Sequence, residues 1–341
     1  MKSQTRVHAL FQTLWNKKLN NQCQYVDADG ERCKTSAIKS HTVQRGRVLA
    51  SIAEDGHVFE IGIPKKQSPS KERTFQKVGV NRASVFPGFC NYHDTILFSS
   101  SETGQGTLSS YEMALLGYRS ICHETFKKER AERVYSNRQF LSAIASVDLA
   151  AKRSAEAHLE GTRLAIRDLT RQKQAFENAI HTKDLSRLYG TVFTLAAEIP
   201  LAFSSSFAPE YTIDGELLLP EQYGNWNSVG VFCGAIKERN IMGFVGLHDN
   251  DEHDISKFFK SLVSVPMNRV GGLSLHLAIE HAENTFFRPS WVSKLLPEIR
   301  EELLSRFASG IPGEPNSRKA NLVGQFDVIN VSASQRDDFY P

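Results

Sequence analysis

Four soft metal ligands near the start of the chain constrain its fold more than any other feature. Cys23 and Cys33 lie either side of a turn signal, and Cys90-Asn91-Tyr92-His93 supplies a second pair with a two-residue gap. A single tetrahedral metal taking all four would oblige residues 23–93 to fold back on themselves until the two pairs meet. Three of the five cysteines fall within the first 90 residues, beside polar or Gly-containing sequence rather than inside long apolar runs. In a chain without a secretion-like start, that grouping points to zinc or another structural metal rather than to a disulfide framework. The competing reading is ordinary buried thiols. Cys122 and Cys233 sit in an apolar helical and an apolar strand context, so both are assigned to the core.

The 341 residues suffice for two or three domains, and 40% hydrophobic with 23% charged residues is the composition of a globular protein. No run approaches the 18 apolar residues of a membrane span, so no membrane partner is expected. Residues 1–20 carry scattered Val7, Leu10, Phe11, Leu14 and Trp15, which suits a short amphipathic helix rather than a signal peptide. Cytoplasmic residence is the corresponding expectation. Charge is uneven: residues 1–100 hold 15 Lys/Arg against 8 Asp/Glu, whereas residues 201–341 hold 12 against 18. The basic segment is the one with the ligand cluster, which suits a polyanionic partner, although solubilising charge gives the same count.

Three segments follow from composition: a zinc-binding domain over 1–105, a helical bundle or hairpin over 106–190, and an α+β partner or sensor domain over 191–341. In the first, Val26-Asp27-Ala28-Asp29-Gly30 predicts a hairpin turn, residues 45–53 a short helix, and His57–Ile61 a strand. Residues 62–74 read as an exposed Pro/Lys/Ser-rich loop. In the second, Pro and Gly nearly vanish from 108 to 188, with only Gly117 and Gly161 inside, so two or three long helices are predicted. In the third, 199–207, 229–236 and 241–247 read as strands, the last two as a hairpin across Lys237-Glu238-Arg239-Asn240. Helices are expected over 255–262, 273–287 and from Ser290 through Phe307, and a late strand around Phe326, Val328, Ile329 and Val331. The fold class is therefore α+β and multidomain.

Residues 20–100 resemble an HNH-like, treble-clef zinc nuclease domain, in which a zinc knuckle precedes a hairpin bearing a water-activating histidine and a second ligand pair closes on a helix. The resemblance implies Cys23, Cys33, Cys90 and His93 as structural zinc ligands and His41 as general base. It further implies Asn81 as the residue orienting that base and Asp94 as the candidate ligand of a catalytic Mg²⁺ or Mn²⁺. Arg45, Arg47, Lys65, Lys66 and Arg82 would then hold the phosphate backbone, with DNA favoured over RNA. A role in defence is one implication. The sequence departs from the pattern in its wide first cysteine pair and in Ser40, which stands before His41 where an acidic residue or a histidine is common. His41 also reads as an alternative zinc ligand or a hydrogen-bonding residue without catalytic duty. A non-catalytic zinc scaffold that binds nucleic acid or protein fits the same residues, and the long helices offer a surface for a homo-oligomer or a protein partner.

Elsewhere, His276 and Glu280 share a helix face, as do Glu280 and Asn284, and His253 or His281 could complete a polar or metal site; no His-Glu-x-x-His arrangement is present, and ordinary helix-surface pairing is the favoured reading. His57 is read as structural or exposed. No phosphate-binding loop and no Ser-nucleophile elbow is present.

Overall fold

A computed structural model describes residues 2–17, 21–62, 73–218, 224–249, 251–309 and 328–341. The first segment runs α1 (Lys2–Asn16), a hairpin over 21–37, β1 (Lys39–His41), a helical turn over Arg45–Leu49 leading into α2 (Ala50–Ile52), β2 (His57–Gly62), β3 (Thr74–Gly79), β4 (Val85–Pro87) and α3 (Asn91–Thr103). The Pro/Gly-poor stretch forms α4 (Ser110–Tyr135), α5 (Arg138–Ala145) and α6 (Leu149–Thr182). The remainder forms β5 (Leu188–Leu195), β6 (Leu201–Phe207), β7 (Val229–Ile236), β8 (Arg239–Leu247), α7 (Ile255–Ser261), α8 (Val270–Glu280), β9 (Thr285–Phe287), α9 (Pro289–Lys294), α10 (Pro297–Ser309) and β10 (Ala333–Phe339). The architecture is α+β, with an N-terminal metal-ligand region, central long helices and a C-terminal mixed part. Among the described residues no helix is long and apolar enough to cross a membrane.

An eight-stranded antiparallel sheet, ordered β10-β5-β8-β7-β6-β9-β2-β3, organises the molecule. Successive side chains point to opposite faces of a strand, and here both faces are apolar. Phe193, Val231, Cys233, Met242 and Phe244 pack toward α7 and α8, whereas Val192, Phe232, Ile241 and Val245 pack toward α4 and α6. Strands 57–79 extend the sheet built by residues beyond 188, so the first and third segments meet in one sheet. The boundary read at 190/191 falls inside β5, a strand that periodicity did not single out.

Helix lengths follow local chemistry. Ser109 and Glu112 form a capping box that starts α4, and Asp148 caps α6 by accepting from the Ala150 amide at 2.8 Å. Several expectations need correction. The helix expected over 273–287 ends at Glu280, and 285–287 becomes β9, bridging β6 to β2. An apolar run does not distinguish a buried helix from a buried strand. The single helix expected beyond Ser290 is split into α9 and α10, because Pro297 disfavours helical geometry at Leu296. The late strand lies at 333–339 rather than at 328–331, and Phe326 is outside the described residues. As an edge strand paired, among the described residues, to β5 alone, it tolerates the polar Gln335-Arg336-Asp337-Asp338 that hid it. The 229–247 hairpin turns through Lys237 and Glu238 alone, both with positive φ (49° and 63°), and Arg239 already belongs to β8. The loop read over 62–74 falls mostly outside the described residues.

The two glycines inside the helices are not equivalent. A Cβ on Gly117 would lie 2.8 Å from Cε1 of Phe176 and 3.0 Å from Cγ1 of Val245, whereas one on Gly161 would meet nothing within 4 Å. Gly161→Ala is expected to stabilise the protein by about 0.5–1 kcal/mol through helix propensity. Gly117→Ala is expected to destabilise it by about 1–3 kcal/mol through overpacking between α4 and α6. Urea denaturation of the two variants checks the opposite signs.

Candidate metal centre

The first ligand pair is placed by a short ladder. Gln22 bridges Ser36 and Val26 bridges Arg32, and the turn between them is closed by Asp27, whose Oδ1 accepts from the amides of Asp29 and Glu31 at 3.1 and 2.9 Å. Gly30 adopts φ +82°, the left-handed conformation such a turn requires. The Cys23 amide donates to Thr35 O and the Cys33 amide to Tyr25 O, each at 2.9 Å, so the nine-residue spacing becomes cross-strand proximity.

The second pair is placed by a helix start. Cys90 is the N-cap of α3, and His93 follows three residues on, the spacing that puts both on one helix face. The Gln24 amide donates to Gly88 O at 2.8 Å and the Ile38 amide to Phe89 O at 2.7 Å, tying the hairpin to the segment leading into α3. Tyr25 stacks on the His93 ring at 3.9 Å between centroids, and the Tyr118 hydroxyl of α4 donates to Glu177 at 2.8 Å and reaches Gln24 O at 3.3 Å. Cys23, Phe89, Cys90 and Phe98 belong to the core shared with α4 and α6, so the cluster rests on the long helices.

The structure brings all four expected ligands together, with donor atoms within 4.8 Å of one another. Nδ1 of His93 lies 3.3 Å from Cys90 Sγ and 3.6 Å from Cys23 Sγ. A tetrahedral zinc with ordinary bond lengths sets such an S···N edge at about 3.5 Å. All five cysteines are free thiols. Three thiols and one imidazole at that spacing are the donor chemistry of a structural zinc ion, and the residues fit the group. Without a cation the set carries opposed protonation demands. Burial pushes the Cys23 thiol up to about 12 and pushes the His93 imidazole down. Cys33 is lowered: burial alone would raise it, but hydrogen bonds from Thr35, Cys23 and Cys90 outweigh that. A bound cation reverses the cost of ionising the thiols.

Around this centre the other expected site residues separate into groups. His41, on β1 opposite Val85, is half-buried, and its Nε2 is buried without a partner among the described residues. Burial holds its pKa below the ordinary value; a hydrogen bond to the backbone of Val80 opposes that shift, Arg45 adds to it, and Asp94 opposes it. Asp94, in the first turn of α3, also has a buried unpartnered atom, Oδ1. The Asn81 side chain accepts from Arg45 Nη1 at 3.0 Å, so the orienting bond to the His41 ring comes from the Val80 backbone instead. Arg45 and Arg82 are exposed, Arg47 lies 3.8 Å from Glu238, and Lys65 and Lys66 lie outside the described residues. His57 is peripheral, its Nδ1 lying 2.7 Å from Asp55 O.

One neighbour escaped sequence reasoning. Arg119 of α4 is 2% exposed, contacts Glu102 at 2.6 Å and lies 3.7 Å over the Phe98 ring, and its charge acts on His41. Its signal was a single charge within the apolar run Leu115–Cys122. Comparisons with protein families, curated proteins and solved structures returned no match for this chain.

Proposed function

We propose that the protein is a divalent-metal-dependent endonuclease acting on nucleic acid, DNA before RNA, with His41 as its general base on an HNH-like, treble-clef-type zinc unit. The observation that carries this reading is a pair of buried atoms without partners among the described residues, Nε2 of His41 on β1 and Oδ1 of Asp94 on α3, on side chains that act on one another electrostatically. The reading is supported by the chain order of a cysteine-bearing hairpin, the paired strands β1 and β4, and the ligand-bearing helix α3. The lowered pKa keeps the His41 imidazole neutral at pH 7, the form a base requires. With the Val80 backbone orienting the ring, the buried Nε2 would take a proton from a water admitted beside it as the water's oxygen bonds to phosphorus and the ester P–O bond breaks. The leaving oxygen then collects a proton from solvent. Asp94 would hold a Mg²⁺ or Mn²⁺ ion, which when bound would stabilise negative charge on the phosphate. Arg45 and Arg82, with Arg47, Lys65 and Lys66, are proposed to contact backbone phosphates.

Within this reading segment 1–105 carries the chemistry, 106–190 supports it, and 191–341 is the partner or sensor part of a cytoplasmic protein. Partner binding or homo-oligomerisation is assigned to the helices, where Val147 and Leu149 are exposed at the α5–α6 junction. A second reading, a non-catalytic zinc scaffold for nucleic acid or protein, is favoured by the Asn81–Arg45 bond, which takes the asparagine away from His41.

The test uses the full-length protein with single- and double-stranded DNA and RNA, in Mg²⁺, Mn²⁺ or chelator. Cleavage is expected with the divalent ion and should fall about 10²–10⁴-fold in both His41→Ala and Asp94→Asn at unchanged zinc content. Undiminished cleavage by both variants, or no cleavage of any substrate, would reject the assignment in favour of the scaffold reading.

A further inference from the structure

The fold assembles a second group of metal donors far along the chain from the cysteine cluster. His276 and Glu280 lie one turn apart on α8, and His281 is the helix C-cap, with its amide bonded to Leu277 O at 3.0 Å. The donor atoms of all three lie within 4.8 Å of one another, and Nε2 of His276 is 3.7 Å from Oε2 of Glu280. The other two sequence candidates are excluded. Asn284 donates to Ser84 and Ser204, while both ring nitrogens of His253 are engaged by Asn227 and Pro209.

The two oxygens of Glu280 face different partners. Oε1 lies 3.4 Å from Nη1 of Arg306, and Oε2 faces His276. Arg306 is itself anchored by Glu302, at 2.8 Å from Nη2 and 3.1 Å from Nε. A carboxylate held through one oxygen presents the other in a fixed direction, as supported metal ligands do. Two imidazoles and one carboxylate suit first-row divalent transition metals, including zinc, and leave coordination positions open. The C-terminal end of the α8 dipole adds negative potential.

We propose that His276, Glu280 and His281 form a second divalent transition-metal site, with open coordination positions and with Arg306 fixing the carboxylate. It binds independently of the cysteine cluster and does not depend on the nuclease reading.

Cobalt titration of the intact, demetallated protein tests this, because Co²⁺ on thiolates gives sulfur-to-metal charge-transfer absorption and Co²⁺ on nitrogen and oxygen does not. In the Asp94→Asn protein, which lacks the proposed nuclease-metal ligand, two equivalents are expected: one with that absorption, and a second with weak visible bands alone. In that background His281→Ala and Glu280→Gln should each weaken the second by at least about tenfold and leave the first unchanged. Glu280→Gln preserves side-chain shape, so its result stands even if the His281 variant misfolds. Saturation at one equivalent in the Asp94→Asn protein, or a second equivalent unchanged in both variants, overturns the proposal.

Discussion

Chelating the zinc, or replacing Cys90 by alanine, is expected to unfold the 21–37 hairpin and loosen its attachment to α3 while the β5–β8 strands stay paired. Cys23 and Gln24 are buried, but among the described residues the outer part of the hairpin, 27–36, has little else to hold it. Two isolated bridges and an Asp27 turn define it, and most residues from 27 to 36 are exposed. Apparent zinc-binding energies of about 10–16 kcal/mol in small metal-folded units are as large as the whole stability of a typical domain. The far end of the unit has other support. Phe86, Phe89 and Phe98 are buried in the core of α4 and α6, so β4 and α3 should outlast the hairpin. Metal analysis should find one tightly held zinc at the cysteine–histidine cluster, lost on chelation or when a ligand such as Cys90 is replaced. Hydrogen exchange should accelerate in 21–37 by orders of magnitude on chelation, with 229–247 unchanged. A metal-free protein with native exchange across the hairpin would remove the metal from the account of this fold.

The cysteine–histidine set was legible because each pair is positioned locally. An Asp-Ala-Asp-Gly turn brings Cys23 to Cys33, and a helix start brings Cys90 to His93. His41 and Asp94 could be proposed only from a resemblance, since their neighbourhood depends on β1 pairing with β4 across 44 residues. No local pattern encodes that register. The same limit hid Arg119, whose role exists only once α4 packs beneath the hairpin. Strand-rich stretches were recovered where β-branched and aromatic residues alternate, as in 229–247. They were lost where composition misleads, at the polar edge strand 333–339 and in the apolar run entering β9. Long-range joins such as the extension of the sheet by β2 and β3 through β9 carry no sequence mark at all. They arise because Phe59 and Phe287 find register once both faces are covered.

Acid should destabilise the protein well above the pH at which most carboxylates titrate, through histidines buried in neutral form. His123 of α4 is held down to about 3, by burial first and then by Lys127, with Glu283 opposing and Arg130 adding to the shift. Its ring packs edge-on against Phe86 at 5.0 Å, and Nδ1 is buried without a partner among the described residues. His253 is fully buried, and its pKa is also lowered, by burial, against the hydrogen bonds its ring makes to the Pro209 carbonyl and accepts from the Asn227 amide. The Asn227 amide donates to its Nδ1 at 2.9 Å, so that nitrogen must stay unprotonated. Unfolded histidines take up protons below about pH 6.5, whereas these two stay neutral in the native state. The unfolded state therefore binds more protons, and stability falls as pH drops below about 6.5, levelling off only at the folded pKa. For His123 the loss is about 3 kcal/mol by pH 4, a large part of a typical stability, and His253 adds to it in the same direction. Metal release and carboxylate protonation also act in acid, but they are common to parent and variant and cancel in the difference. Urea unfolding of the parent and of His123→Phe at pH 8, 6, 5 and 4 should show similar stability at pH 8. By pH 4 the variant should retain about 3 kcal/mol more than the parent relative to that starting point. Parallel acid limbs for the two proteins would show that the buried imidazole is not what limits stability in acid.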